Sequence, residues 1–391
     1  DTHMSHAMEF PYPMSMSNCN TCHEGKLNQI ISDATFTVDT CKSCHVVRGI
    51  DAWPEDAGDT LEGMYAQPHR PPPLEFLWTK AGVDGFHDES LDCTTCHGPV
   101  NGVPKFADYH TGYDDHIYDD MGVKFADTYT VSIDQITVSG DLMTINFSAN
   151  DATIVPEVLV SFYGWDSKNF IVGSHERDAN PECAGRRPGC KMEYVPESSG
   201  GDPNPLFTED PASVPGDWMV TLDMSALQLT KTDLIPQLIA DGVIKMAEIS
   251  ITPEMEVDGQ DVVLAAVGET FDLGGSMIVD DYFKGMNATV EIDKCNACHD
   301  SLASTFHDGS GRGGDGIEVC KHCHTTTFGG SHLEMASRAI DSYVHAIHSF
   351  QPFDLEEVAA ADDPVFDART ELHMNHTFPN FTIRNCEACH V

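Results

Sequence analysis

Six short clusters carry the chemistry of this chain. They are Cys19-Asn-Thr-Cys22-His23, Cys41-Lys-Ser-Cys44-His45 and Cys93-Thr-Thr-Cys96-His97, then Cys295-Asn-Ala-Cys298-His299, Cys320-Lys-His-Cys323-His324 and Cys386-Glu-Ala-Cys389-His390. Twelve of the 14 cysteines fall in this one pattern, C-x-x-C-H. Two residues between the thiols let both reach the vinyl groups on one edge of a porphyrin. The adjacent histidine then lies under the ring and offers its nitrogen to iron. A zinc ribbon needs paired C-x-x-C clusters but no histidine after every second cysteine. A dithiol redox site uses the motif once, beside a βαβ unit. Six covalent haems c are therefore expected, with His23, His45, His97, His299, His324 and His390 as proximal ligands. Such haems are attached outside the cytoplasm, so the chain is expected in an extracellular or cell-surface compartment.

The sixth iron ligand has to come from elsewhere. The 20 histidines leave 14 beyond the proximal six. That surplus favours bis-histidine iron, low-spin and closed to substrate. The 16 methionines form the alternative ligand pool, but none sits at a recurring offset from a haem motif, and they are expected to pack on porphyrin faces. Phe86-His87-Asp88-Glu89-Ser90 and Phe306-His307-Asp308-Gly309-Ser310 share Phe-His-Asp-x-Ser, which marks His87 and His307 as distal ligands. An H-x-x-H repeat adds His3 with His6, His345 with His348, and His373 with His376. Residues i and i+3 share a helix face, so one turn can serve two haems. His3, His6, His87, His307, His345 and His348 form the expected distal set. His373, His376, His69, His110 and His116 are alternates. His332 is a weaker alternate, and His322, inside a haem motif, is expected to point away from that iron.

The positioning elements divide the chain in three. Residues 1–123 and 291–391 each hold three haem motifs, at roughly 40 residues per haem. That is too little chain for a separate apolar core, so the haems themselves are expected to form the core, wrapped by loops and short helices. Residues 124–290 hold no haem motif. There Val131–Ile133, Ile136–Val138, Ile145–Phe147, Val158–Phe162, Met219–Leu222, Ile249–Ile251 and Val262–Val267 read as short strands punctuated by Gly, Pro and Asp. The expected fold is an all-β sandwich or barrel between two haem-packed regions, with a short helix within 223–239. Cys183 and Cys190 bracket a turn-rich hexapeptide and are expected to form a disulfide, with two free thiols the alternative.

Charge narrows the partners. Against 63 acidic residues stand 21 basic ones, a formal net charge of −42 over 391 residues. Such a surface repels nucleic acid and anionic lipid and suits cations, basic proteins or positively charged mineral faces. The acidic pairs Asp114/Asp115, Asp119/Asp120 and Asp280/Asp281 are candidate Ca²⁺ sites. No apolar run approaches the ~20 residues that cross a bilayer. The chain starts at Asp1 with no Met and no apolar leader, so a signal peptide is expected to have been removed.

Two haem clusters around a β-domain with a short disulfide loop resemble the outer-surface metal-reducing decahaem cytochromes of the MtrC/OmcA type. The order Cys295–His299, His307, Cys320–His324, Val344-His345-Ala-Ile-His348, and Phe378-Pro379 before Cys386–His390 carries the likeness. It implies bis-histidine haems and extracellular acceptors such as metal oxides or other cytochromes. Six motifs rather than ten, and no N-terminal lipid-attachment cysteine, depart from that pattern. The matching His-x-x-His…Phe-Pro…Asn-Cys blocks at both ends suggest copies joined end to end, as in polymeric cytochrome filaments. Electron conduction is the expected role. The alternative is a multihaem reductase with one open haem.

Overall fold

The computed structural model describes residues 117–164, 192–194, 196, 204–210, 214–225, 227, 234–280, 289–299, 313–314, 317–324, 339–341, 344, 386–388 and 390, together with Ser32 and Phe36. A short helix, α1 (Phe125–Thr128), leads into strands β1 (Val131–Ser139), β2 (Leu142–Ala149) and β3 (Val155–Tyr163). Then follow β4 (Glu193–Tyr194), β5 (Phe207–Asp210), β6 (Asp217–Asp223), helix α2 (Ile235–Ala240) and β7 (Met246–Glu254). The hairpin β8 (Glu256–Val257) and β9 (Gln260–Asp261) precedes β10 (Ala265–Asp272) and β11 (Met277–Val279). Beyond these lie α3 (Ile292–His299), β12 (Gly313–Gly314), α4 (Ile317–Lys321) and a 3-10 turn at Cys386–Ala388.

The strands build two sheets, ordered β1-β2-β6-β5 and β11-β10-β7-β3-β4. All of these pairings are antiparallel, and β1 lies against β10, β7 and β11 of the other sheet. The central expectation of a β-sandwich is met. The two apolar runs at Val131 and Ile136 are one strand, interrupted by a register shift between Ile133 and Gln135. The run Val262–Val267 is only partly strand, since β10 begins at Ala265. The expected short helix is α2, with Pro236 in its first turn, where a missing N–H costs nothing.

Turn chemistry sets the registers. Gly140 and Asp141 join β1 to β2, with Ser139 opposite Leu142 and φ at Gly140 of +61°. A two-residue hairpin with positive φ at its first turn position favours glycine there. Asp258 and Gly259 both have positive φ between the paired Val257 and Gln260, the Asp-Gly arrangement whose twist matches the flanking strands. Elsewhere Asp151 receives the Thr153 hydroxyl at 2.6 Å and its N–H at 2.8 Å, and both hold its carboxyl below the usual range, the hydroxyl more strongly.

The core lies between the sheets. Met143, Ile145 and Phe147 of β2 meet Val158, Val160 and Phe162 of β3, and Ala247, Ile249 and Ile251 of β7. In the smaller sheet the outer face is polar and part-exposed, as at the Thr144–Thr221 hydroxyl pair at 3.1 Å. The larger sheet differs. Its central strands β3 and β7 are buried at seven consecutive positions each. Glu157, Ser161, Glu248, Ser250, Thr252 and Thr270 are polar, buried, and on the side away from the core. Something must cover them, and one cover is the segment carrying β12 and α4. β12 adds to β10 in parallel, with Gly313 opposite Ala265, and α4 packs on β10 and β7.

Among the described residues no helix is long and apolar enough to cross a membrane. Truncating the fully buried Phe162 to Ala should lower stability by about 3–5 kcal/mol, through lost contacts and the cavity left behind. Met121→Ala, at an 83% exposed site, should change it by less than about 0.5 kcal/mol. Denaturant midpoints followed by far-ultraviolet circular dichroism compare the two, and equal midpoints would contradict this placement of the core.

Candidate haem-attachment sites

Three of the six C-x-x-C-H clusters fall at least in part within the described residues, and each forms a helical turn. In the fourth, α3 carries the stretch from Cys295 to His299. In the fifth, the N–H groups of Cys323 and His324 both donate to the carbonyl of Cys320, at 3.3 and 2.9 Å. In the sixth, His390 donates its N–H to the carbonyl of Cys386 at 2.9 Å. An i to i+4 hydrogen bond brings the first cysteine and the histidine onto one face. That arrangement suits a porphyrin linked at the cysteine and ligated by the histidine. Cys295, Cys320 and Cys323 are half-buried and Cys386 is exposed, so these thiols are accessible to a porphyrin edge.

The sixth cluster supplies the sharpest test of fit. Nδ1 of His390 lies 3.0 Å from the carbonyl oxygen of Thr289. A carbonyl only accepts, so Nδ1 donates to it, and Nε2 is the nitrogen that would face an iron. An iron ligand needs that tautomer, and holding the far N–H on a carbonyl is the usual way to orient the ring. The residues present fit a c-type haem.

The same contact joins two clusters. Val290 and His390 form an antiparallel bridge. Lys294, one residue before Cys295, donates Nζ to the carbonyl of His390 at 2.7 Å and pairs with Glu291 at 3.2 Å. The lead-in to the fourth motif is therefore the cradle of the sixth, although 96 residues separate Lys294 from His390. A link runs outward from the fifth motif as well. Ile340 donates its N–H to the carbonyl of His324 at 3.2 Å, and Ile340, Asp341 and Val344 are helical. This ties the fifth motif to the segment that leads into His345.

The fifth motif faces the sandwich. His322, fully buried, sits between two sheet hydroxyls, with Nδ1 2.7 Å from Ser161 Oγ and Nε2 3.0 Å from Ser250 Oγ. Both ring nitrogens are engaged with the sheet, which argues against His322 as an iron ligand. Val319 and Lys321 are buried beside it.

Other expected site residues lie outside the described residues: Cys19, Cys22, His23, Cys41, Cys44, His45, Cys93, Cys96, His97 and Cys389. So do the distal set His3, His6, His87, His307, His345 and His348, the alternates His69, His110, His116, His332, His373 and His376, and Cys183 with Cys190. Cys298 and His299 are placed by backbone only. Of the acidic pairs, Asp119 is occupied with its own turn, its Oδ1 accepting from the N–H groups of Met121 and Val123 at 2.9 and 2.8 Å. Among the described residues no three His, Cys, Asp or Glu side chains gather as an ion would require, so the Ca²⁺ expectation gains no support. Sequence reasoning did not single out Ser161, Ser250, Thr289 or Lys294. Their roles depend on partners 72 to 161 residues away.

Repeated helical C-x-x-C-H turns, one with its histidine Nδ1 held on a carbonyl, fit the attachment of c-type haems in the C-terminal part of the chain. More particularly, residues 287–391 match the family model described as outer membrane cytochrome MtrC/MtrF-like, domains II/IV. Among solved structures, MtrC from Shewanella baltica OS185 is similar at 16% identity and a TM-score of 0.43, over 93% of this chain and 56% of that one. The outer membrane decaheme cytochrome OmcA is similar at 14% identity and a TM-score of 0.31, over 57% of this chain and 32% of that one. The chain thus spans little more than half of the first and a third of the second. No curated protein matches the chain.

Removing the Lys294 side chain as Lys294→Ala should lower stability by about 1 kcal/mol. This is a charged hydrogen bond discounted for its part-exposed position. The denaturation midpoint read at the haem absorption band checks it, with haem content unchanged; a midpoint equal to the parent's would mean the cradle does not depend on Lys294.

Proposed function

We propose that the chain is a hexahaem c-type cytochrome that carries electrons outside the cell, passing them between closely packed bis-histidine haems to extracellular acceptors. The observation that carries this reading is the His390 ring, held by Thr289 through Nδ1, inside a segment that matches an outer membrane cytochrome family. When bound, haem supplies an iron that exchanges one electron at a time. The protein's part is to hold each ring and fix its axial histidines. The cradle shared by the fourth and sixth motifs supports close packing, because a common backbone contact places two attachment turns side by side. The surplus of histidine supports closed iron at the remaining positions.

The acceptor class follows from charge and family together. A net charge of −42 suits a cationic partner: an oxide surface carrying positive charge, chelated metal, or a basic patch on another cytochrome. The end-to-end filament arrangement gains no support from the described residues or from the family match.

Intact mass and the pyridine haemochrome of the purified protein should give six haems per chain. The ferrous protein should bind carbon monoxide at none of them. A full equivalent of carbon monoxide bound at one haem would replace this reading with the reductase.

A further inference from the structure

We propose that His322 is a positioning residue, fixing the orientation of the haem held by Cys320, Cys323 and His324 against the sandwich through Ser161 and Ser250. This rests on the reading of that cluster as a haem site. The two residues between the cysteines of such a motif make no covalent bond to the ring, so nothing in haem attachment itself requires them to be buried. Here both Lys321 and His322 are buried, and His322 is wholly so.

The fit is chemically specific. A neutral imidazole offers one N–H and one lone pair. Each serine hydroxyl can donate or accept, so one donates to the ring and the other accepts from it. Both nitrogens are satisfied at 2.7 and 3.0 Å without a charge being buried. An aliphatic side chain at 322 would take a hydrogen-bond partner from two buried hydroxyls, which is costly where water cannot enter. Ser161 and Ser250 themselves are well fixed. They stand on the neighbouring strands β3 and β7, where Ser161 lies opposite Glu248 and Ser250 opposite Leu159. Glu248 is held in turn by the Thr270 hydroxyl of β10 at 2.6 Å.

Rigidity passes from sheet to iron ligand along a short path. From His322 it is two residues to His324, and the turn is closed by the two hydrogen bonds to the carbonyl of Cys320. A second tether, β12 on β10, enters just before α4. The sheet acts as a base plate for this one attachment turn, and the azimuth of the His324 ring follows from it. The orientation of axial imidazoles governs the magnetic anisotropy of low-spin ferric haem, and outer-shell partners of a ligand tune its metal.

The test uses the full haem-loaded chain and the double variant Ser161→Ala/Ser250→Ala, which removes the hydroxyls and little volume. Electron paramagnetic resonance of the oxidised protein should show one low-spin species displaced or broadened. Haem count and the remaining signals should stay as in the parent. His322→Gln, which keeps a donor and an acceptor, should lie closer to the parent than His322→Leu. If the double variant does not accumulate, each single serine variant carries the same comparison. Parental spectra with full haem content in these variants would overturn the proposal. A parent whose Cys320–His324 peptide carries no haem mass would instead overturn the haem reading beneath it.

Discussion

The larger sheet buries both of its faces, and one of them is polar. The rest of the arrangement depends on that constraint. Burying a polar face is costly unless its groups find hydrogen-bond partners, and on this face the buried Thr252 hydroxyl has none among the described residues. Ser161 and Ser250 find theirs in His322, and Glu248 finds one in Thr270. The partner His322 comes from inside a haem-attachment motif, so satisfying the sheet and placing the motif are one event. An apolar outer face would have accepted many coverings. A face of hydroxyls and a carboxylate accepts one whose donors and acceptors match, which is how a buried polar contact selects a single docking register.

The second organising contact links haem motifs to each other rather than to the sheet. Thr289, Val290, Glu291 and Lys294 precede or open the fourth motif, yet they grip the sixth at His390. With so few residues per C-x-x-C-H motif, the chain has little room to give each motif its own scaffold. Using the lead-in of one motif as the cradle of another is a way to build two sites from one stretch of backbone. The Nδ1 contact to Thr289 also orients the His390 ring, so the same economy positions that side chain.

Much of this was legible in the residues. Recurrence of C-x-x-C-H points to haem c, and alternation in β2, β3 and β7 named the strands and their core faces. Ala247, Ile249 and Ile251 alternate with Glu248, Ser250 and Thr252, the pattern of a strand with one wet side. That side is in fact covered. Alternation reports which residues are polar, but not whether water or protein satisfies them. The same limit hid Ser161, Ser250 and Thr289, whose partners lie far along the chain or on a backbone carbonyl with no side-chain signature. His322 could be excluded as a ligand from its place in the motif, but its two serines could not be foreseen. The boundary of β10 was misjudged for a related reason. Val262, Val263 and Leu264 are buried like strand residues but sit in the connection before Ala265, where burial and not pairing explains their apolarity.

The central claim is that the haems form one connected electron path. Stopped-flow oxidation of the fully reduced protein by less than stoichiometric amounts of a ferric chelate tests it directly. On this account electrons redistribute among all haems within the mixing phase, so the partly oxidised spectrum is the same whatever oxidant is used and matches the equilibrium spectrum at that potential. A slow later phase in which a subset of haems stays reduced while others are oxidised would contradict it, because haems out of tunnelling reach cannot share their electrons.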